Sequence, residues 1–174
     1  MTAQEPSDEA ILVALGANLP SPRFGSPQAT LEAALAALAA RGVEILARSS
    51  WWESEPVPPS DQPWYVNGVV RVRTALEPGP LLALLHEIET EFGRIRLARN
   101  EARVLDLDLL AYGRRVVAGP GALVLPHPRL ADRAFVLLPL AEVAPDWRHP
   151  VTGEGLRQLI AKLPPDQAIR RVVG

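Results

Sequence analysis

The pattern of hydrophobic and polar residues in the first 112 positions repeats with two different periods. Four segments show the two-residue alternation, or the short apolar run, that is typical of β-strands, whose successive side chains point to opposite faces. These segments are residues 10–15, 43–52, 64–74 and 104–112. We therefore predict four strands, the first of them a buried strand because it contains only apolar residues.

Two segments between these strands have the 3.6-residue period of amphipathic helices. The first begins at Ser26-Pro27, a capping residue followed by proline, and ends at Gly42. The second begins at Pro78 and ends at Gly93. The order β-α-β, repeated once, predicts an α+β fold with a ferredoxin-like split β-α-β core, in which an antiparallel sheet carries both helices on one face.

The last third of the chain predicts helical and hairpin additions to this core. They are a small hairpin, an apolar helical segment, a short amphipathic helix and a terminal strand or tail, at residues 116–125, 135–144, 156–163 and 169–173. We expect Pro139 to lie in the first turn of its helix, because proline further inside a helix removes a hydrogen bond. The loop at residues 53–63 contains four prolines and is predicted to be an ordered loop or a lid.

Composition narrows the class of protein. A chain of 174 residues suits one domain, which we expect to span residues 1–174 with a mobile tail at residues 1–9. No apolar run approaches the roughly 18 residues of a membrane span, and the first residues lack a signal-peptide pattern. We therefore expect a cytoplasmic protein with no membrane partner. The absence of cysteine excludes disulfides, thiolate metal sites and thiol nucleophiles.

Charge is distributed locally rather than over a broad face. The net charge of -2 argues against long nucleic acid as a partner, since proteins that bind it usually carry an extended basic surface. Four arginines lie close together instead, and they would suit a small anion: Arg94, Arg96, Arg99 and Arg103. We expect small-molecule substrates, no obligate protein partner and a monomer.

Asp106 and Asp108 alternate with leucines in the fourth predicted strand and therefore share one of its faces. Two carboxylates roughly 6 to 7 Å apart at their Cα atoms repel each other unless a cation, a proton or bulk water intervenes. Mg²⁺ typically takes one or two carboxylates together with phosphate oxygens, and arginines grip phosphates with paired hydrogen bonds. The pattern therefore indicates polyphosphate binding; the alternative is a half-exposed strand whose acids are solvated.

Other polar residues are candidates with ordinary alternatives. Tyr65 and Asn67 share a strand face and could stack on and hydrogen-bond to a flat heterocycle, or be a core tyrosine and a strand-start asparagine. His127, close to Arg133, could meet a phosphate, although a loop histidine is usually solvated. Glu89 falls on the flank of the second helix, where solvated acids are common. Neither glycine-rich phosphate motif is present, so a nucleotide would be held by side chains and metal.

Five stretches of the chain resemble one family of enzymes in the same order. They read ALGANL from residue 14, SSWWESEPVPPSDQPWYVNGVV from residue 49, IETEFGRIR from residue 88, RVLDLDLLAYG from residue 103 and LPHPRLADRAFVLLPLAEVAPDW from residue 125. The family is 6-hydroxymethyl-7,8-dihydropterin pyrophosphokinase, which transfers a pyrophosphoryl group from ATP to a pterin alcohol in folate biosynthesis. The resemblance covers residues 11–150 and disfavours the solvated-strand alternative for the aspartates.

The resemblance implies a role for each member of a set of residues. Asp106 and Asp108 would bind two Mg²⁺ ions, and attack at the β-phosphorus of ATP would release AMP. The implied catalytic residues are Arg94, Arg96, Arg103, Asp106 and Asp108. The implied ATP contacts are Glu89, Arg96, Arg103, Leu109, His127 and Arg133. The implied pterin contacts are Ser54, Glu55, Val57, Tyr65, Asn67, Asp106 and Phe135, with the two aromatic rings on either side of the pterin.

The loop between Arg96 and Arg103 departs from the family pattern. Many members carry Trp-Gly-Pro before the second of these arginines, whereas this loop is one residue shorter and contains no tryptophan. We therefore expect no aromatic contact from this loop.

Two other functions are compatible with a ferredoxin-like fold. A palm-like nucleotidyltransferase also uses paired acids on a strand and would release pyrophosphate, but the set of Tyr65, Asn67 and Phe135 counts against it. A regulatory or RNA-binding module would have no need to hold Asp106 and Asp108 together beside four arginines.

Overall fold

Six strands of the described chain form one antiparallel sheet, on which the helices pack. The computed structural model describes residues 9–56, 61, 63–93 and 104–172. The strands are Ile11–Ala17 (β1), Glu44–Arg48 (β2), Trp52–Ser54 (β3), Tyr65–Arg73 (β4), Asp106–Tyr112 (β5) and Ile169–Arg171 (β6). The helices are Pro27–Ala40 (α1), Pro78–Glu91 (α2), Ala134–Val143 (α3) and Leu156–Ala161 (α4). A short 3-10 turn at Leu130–Asp132 precedes α3.

Strand β1 lies between β4 and β5 and is antiparallel to both. The order across the sheet is β5-β1-β4-β3-β6, and β2 lies along the same edge of β4 as β3. If β2 and β3 are taken as two parts of one strand, the core has the strand order of a ferredoxin-like split β-α-β fold. The predicted fold class is confirmed, with α3, α4 and β6 as additions to the core.

Two hydrophobic cores lie on opposite faces of this sheet. On one face, apolar residues of α1 and α2 pack against β1, β4 and β5. On the other face, α3 packs against the sheet, chiefly on β4, and α4 packs against α3. The consecutive residues Leu12 and Val13 are both fully buried and belong to different cores, as strand geometry requires. The central strands are therefore covered on both sides, and α1 and α2 share one face as predicted.

The predicted helix ends are confirmed by their backbone geometry. The Ser26 hydroxyl accepts a hydrogen bond of 3.2 Å from the Ala29 N–H and caps α1, and Pro27 occupies the first turn. Gly42 and Gly93, which follow α1 and α2, have φ angles of +86° and +97°. Glycine adopts this left-handed conformation without a steric penalty, which explains why both helices end where they do.

The segment predicted as one strand at residues 43–52 is divided into β2 and β3. Arg48 pairs with Val70 and Trp52 pairs with Asn67, so the edge strand contains one residue more than β4 over this distance. At the break, the Ser49 hydroxyl accepts a hydrogen bond of 3.0 Å from the Val69 N–H. A side-chain oxygen thus replaces a backbone carbonyl in the ladder, which the alternation of residue types does not indicate.

The prediction for Pro139 is wrong. It lies inside α3, five residues after the helix begins, and not in the first turn. A proline there removes one backbone hydrogen bond. Burial of the surrounding apolar residues offsets this cost, since Val136, Leu137 and Leu140 are almost completely buried against the sheet.

The remaining additions are small. The predicted hairpin at residues 116–125 is reduced to one bridge, in which Val117 and Leu125 exchange hydrogen bonds of 2.9 and 3.0 Å. The predicted terminal strand is present as β6, which pairs with β3. Within the described ranges, we find no helix with both the length and the apolar character needed to cross a membrane.

Candidate active site

Asp106 and Asp108 lie at the start of β5, on the sheet face covered by α3. The intervening and flanking leucines, Leu105, Leu107 and Leu109, are buried in the core under α1 and α2. The predicted division of this strand between two acids on one side and leucines on the other is confirmed. Both aspartates are partly buried rather than fully solvated.

Gly16 lies between Asp106 and Asn67 in one row across three strands. It pairs with Asn67 of β4 on one side and with Asp106 of β5 on the other. Glycine has no side chain, so the Asn67 amide can approach the Gly16 backbone closely. A Cβ atom at this position would lie only 3.0 Å from Oδ1 of Asn67. The glycine therefore leaves room for the Asn67 amide oxygen between β4 and β5.

The amide of Asn67 is held in place by a buried hydroxyl. Its Nδ2 donates a hydrogen bond of 2.7 Å to the Ser54 hydroxyl, and both side chains are buried. Oδ1 lies on the side of Gly16. Ser54 ends β3, and the next residue, Glu55, donates its backbone N–H to the Ala168 carbonyl at 3.1 Å.

Tyr65 and Phe135 border the same sheet face. Tyr65 begins β4 two residues before Asn67, so the two side chains point to the same side. Phe135 lies in the first turn of α3, which packs across β4, and its ring is partly buried against that core. The guanidinium carbon of Arg133 lies 5.3 Å from the centre of the Phe135 ring. One aromatic ring is thus contributed by the sheet and one by the helix above it.

His127 lies beside β5 and is neutral at pH 7. Its backbone N–H donates a hydrogen bond of 2.8 Å to the Leu110 carbonyl. Burial is the main cause that lowers the pKa of the imidazole to about 4. The positive charges of Arg133 and Arg129 also lower it, whereas the Asp106 carboxylate acts in the opposite direction.

The hydrogen bonds of the His127 ring assign its tautomer. Nδ1 accepts a hydrogen bond of 3.2 Å from the Arg129 N–H, so in the neutral ring the proton is carried by Nε2. This leaves Nε2–H as a donor beside Asp106 and Arg133, which are close enough to influence the ring electrostatically. A neutral N–H donor is a suitable partner for a phosphate oxygen.

Glu89 is not a solvated acid, contrary to the expectation from its place on α2. It is 1% exposed, and Oε2 accepts a hydrogen bond of 2.8 Å from the backbone N–H of Leu107. Leu107 lies between the two aspartates, so Glu89 fixes the part of β5 from which they project. A role toward ATP for Glu89 stays a prediction.

The other predicted residues differ in how far the structure describes them. The Leu109 side chain is buried in the core on the far side of the sheet, so only its backbone faces any ligand at the aspartates. Four predicted residues lie outside the described residues: Val57, Arg94, Arg96 and Arg103. The shortened loop between the last two also lies there.

Comparison with known proteins supplies the family. The sequence model of the family described as 7,8-dihydro-6-hydroxymethylpterin-pyrophosphokinase (HPPK) matches residues 12–145. A Synechocystis protein named 2-amino-4-hydroxy-6-hydroxymethyldihydropteridine pyrophosphokinase is 44% identical over 153 residues, which are 87% of this chain and 75% of the relative. A Pseudomonas aeruginosa protein of the same name is 42% identical over 166 residues, covering 95% of this chain and 98% of that one. The chain belongs to the HPPK family.

The fold agrees with this assignment. A crystal structure of Plasmodium falciparum HPPK-DHPS with pteroate superposes with a TM-score of 0.70 at 14% sequence identity. The match covers 88% of this chain and 44% of the solved chain, so this chain spans less than half the length of that protein. Such a likeness shows the ferredoxin-like fold. Membership in the HPPK family makes this chain a pyrophosphokinase of folate synthesis.

Asp106 and Asp108, among the described residues, form a pair of carboxylates that would suit a magnesium ion. Among the described residues there is no group of three or more histidine, cysteine or acidic side chains that could hold a metal. A pair of partly buried carboxylates on one strand face is compatible with Mg²⁺, which usually takes one or two carboxylates and completes its coordination with water and substrate phosphate. The donor set fits Mg²⁺ and is unsuited to a metal that needs a complete cage of protein ligands.

Sequence reasoning assigned no role to Gly16 or Asn18, although both lie in the ALGANL motif. Asn18 is 1% exposed, and its Nδ2 donates a hydrogen bond of 3.1 Å to the Pro63 carbonyl. It therefore joins the end of β1 to the segment that leads into β4. The only signal in the sequence was a glycine and a polar residue directly after an apolar strand.

Proposed function

We propose that this chain transfers a pyrophosphoryl group from ATP to 6-hydroxymethyl-7,8-dihydropterin, giving the pterin diphosphate and AMP. The observation that carries the proposal is the row of Asn67, Gly16 and Asp106 across three strands. It places an amide and a carboxylate on either side of a glycine, on one face of the sheet, in a chain of the HPPK family. A flat heterocycle with a hydroxymethyl arm matches that order of groups.

The pterin would be recognised from two sides. Asn67 would read the edge of the ring, because its amide is held in place by Ser54 and carries both a donor and an acceptor. Tyr65 and Phe135 would stack on its two faces. Backbone groups of Ser54, Glu55 and Val57 would complete the edge contacts.

ATP would bind next to Asp106 and Asp108, where it would meet neutral and positively charged hydrogen-bond donors. His127 would donate from Nε2–H to a phosphate oxygen, and Arg133 would contact the same part of ATP. Arg94, Arg96 and Arg103 would grip the polyphosphate, and Leu109 would contribute its backbone. Glu89 would act near the nucleotide by holding β5 in place through Leu107.

Asp106 and Asp108 would hold two Mg²⁺ ions between them and the substrates. Bound Mg²⁺ neutralises the charge of the phosphates and stabilises the entering and leaving oxygens of an in-line displacement. Asp106 would also contact the pterin arm, since it closes the row that begins with Asn67. The protein would orient the hydroxymethyl oxygen toward the β-phosphorus, and the arginines would compensate the charge carried by the departing AMP.

The product distinguishes this reaction from others on the same fold. Protein would be incubated with ATP, Mg²⁺ and 6-hydroxymethyl-7,8-dihydropterin, and nucleotides would be separated by anion-exchange chromatography. AMP and pterin diphosphate in equal amounts are expected, with neither formed when pterin or Mg²⁺ is omitted. ADP would show simple phosphoryl transfer, and free pyrophosphate would show nucleotidyl transfer; either result would overturn the proposal.

A further inference from the structure

The C-terminal segment of the chain borders the proposed pterin site. Strand β6 pairs with β3, and Ile169 lies opposite Ser54. One residue earlier, the Ala168 carbonyl accepts a hydrogen bond of 3.1 Å from the Glu55 N–H. The segment therefore holds the backbone of two residues that form one predicted wall of the site.

The neighbouring residue, Gln167, holds the opposite wall. Its Oε1 accepts a hydrogen bond of 2.8 Å from the Ala134 N–H, and its Nε2 donates one of 2.7 Å to the Asp132 carbonyl. The first turn of α3 receives no side-chain cap from its own N-cap residue, Arg133. Gln167 thus caps α3 from a distant part of the chain and satisfies an N–H that would otherwise need water.

The two bonds of Gln167 enclose Arg133. Asp132 and Ala134 are the residues directly before and after it, so the backbone on both sides is fixed to one side chain. The Arg133 guanidinium in turn lies over the Phe135 ring. The orientations of the Arg133 guanidinium and of the Phe135 ring both depend on where α3 begins.

We propose that Gln167 is a positioning residue for substrate binding, an inference that rests on the proposed function. Together with Ala168 it sets the spacing between the wall at Ser54 and Glu55 and the wall at Arg133 and Phe135. It contacts no substrate in this role. It acts by holding the backbone from which the binding groups project.

Glutamine suits this position because its amide has both a donor and an acceptor. Glutamate would keep the acceptor for the Ala134 N–H but would place a negative charge against the Asp132 carbonyl. Alanine would remove both bonds. The series glutamine, glutamate, alanine should therefore give a graded loss of substrate binding.

Gln158 provides a matched control in the same layer of the protein. Its Oε1 accepts a hydrogen bond of 2.9 Å from the Gly155 N–H at the start of α4, with no part in the candidate site. Gln158→Ala removes a cap of the same chemical kind. A general loss of stability would follow from either alanine variant, whereas a change in substrate affinity is expected only from Gln167→Ala.

The test combines amide exchange with steady-state kinetics. In Gln167→Ala, the Ala134 amide should exchange at least about fivefold faster, and KM for the pterin should rise about five- to tenfold with a smaller change in kcat. Gln167→Glu should lie between this variant and wild type. Gln158→Ala should match wild type in both measurements.

Three results would contradict the positioning role of Gln167 or the proposed function on which it rests. A pterin KM within about twofold of wild type in an active, folded Gln167→Ala protein would overturn it, as would an equal rise in Gln158→Ala. If Gln167→Ala loses cooperative unfolding, Gln167→Glu takes its place, and an unchanged KM there has the same meaning. Failure of the wild-type protein to form AMP would overturn the proposed function itself, which is a separate result.

Discussion

The side-chain amide of Asn67 donates a 2.7 Å hydrogen bond to the hydroxyl of Ser54, and both groups are buried between β3 and β4. A buried amide with this partner cannot move away without leaving both the amide and the hydroxyl short of a hydrogen bond. The position of the amide is therefore set before any ligand arrives. An ordered amide is what recognition of one edge of a heterocycle requires.

Ser54→Ala should weaken pterin binding even though the Asn67 side chain, which would contact the pterin, is still present. The amide loses its partner, and the expected cost of about 1 kcal/mol corresponds to a rise in pterin KM of about fivefold. Steady-state kinetics at saturating ATP would measure it. Ser50→Ala is the control, because the Ser50 hydroxyl bonds to Glu142 outside the site. An unchanged pterin KM in Ser54→Ala would contradict the assignment.

Asp106→Asn and Asp108→Asn should each abolish most turnover and leave the fold intact. Removal of a residue that hydrogen-bonds to a metal ligand commonly lowers metal affinity or activity about 10- to 100-fold. Loss of a direct ligand should therefore lower kcat/KM by more than about 100-fold. AMP formation would be measured over a range of Mg²⁺ concentrations, with unfolding curves recorded in parallel. The exposed Asp146, at the turn after α3, provides the control Asp146→Asn. Full activity in both site variants would refute the metal assignment.

Gly16→Ala should displace the Asn67 amide from its position beside Gly16. The new Cβ would meet Asn67 Oδ1 at 3.0 Å, so the amide must shift by a few tenths of an ångström. We expect a rise in pterin KM of about tenfold, corresponding to about 1.4 kcal/mol. Gly121→Ala is the control, since a Cβ there meets no atom within 4 Å. Equal kinetics in the two variants would show that pterin binding does not depend on the position of the Asn67 amide.

The protein without ligands should lose stability as the pH falls from about 6.5 to about 4, because His127 is neutral in the folded protein. The folded pKa of about 4 lies below the ordinary histidine pKa of 6.5, so the unfolded chain binds a proton first as the pH falls. The stability associated with neutral His127 is fully present above about pH 6.5 and is lost as the pH falls to about 4. His127→Gln should reduce this dependence in urea unfolding at pH 7.5 and 4.5. An NMR titration of the wild-type imidazole with a midpoint near 6.5 would contradict it.

The parts of the site that follow from residue alternation could be predicted from the sequence. Asp106 and Asp108 share a face, and Tyr65 and Asn67 share another stretch of that same face, because strand geometry leaves no other choice. The end of α1 just before Gly42 could be predicted in the same way. Each of these features depends on residues that are close together in the chain.

Features that depend on distant backbone groups could not be predicted in this way. Glu89 is buried because the Leu107 N–H, 18 residues later, needs an acceptor. Ser49 interrupts a strand because its hydroxyl accepts the Val69 N–H. Gln167 caps a helix 33 residues earlier in the chain. In each case a side chain replaces a backbone acceptor, and no local pattern of residue types records that need.

The pairing of β3 with β6 also affects how the molecule is made. Glu53 and Arg170, which form an ion pair at 2.9 Å across these strands, are 117 residues apart in the chain. At ribosomal rates the second strand emerges on the order of 10 s after the first. During that interval the outer edge of β3 has no neighbour, and an unpaired strand edge is open to pairing with other chains. Newly made molecules are therefore open to misassembly at this edge until residues 169–171 have emerged.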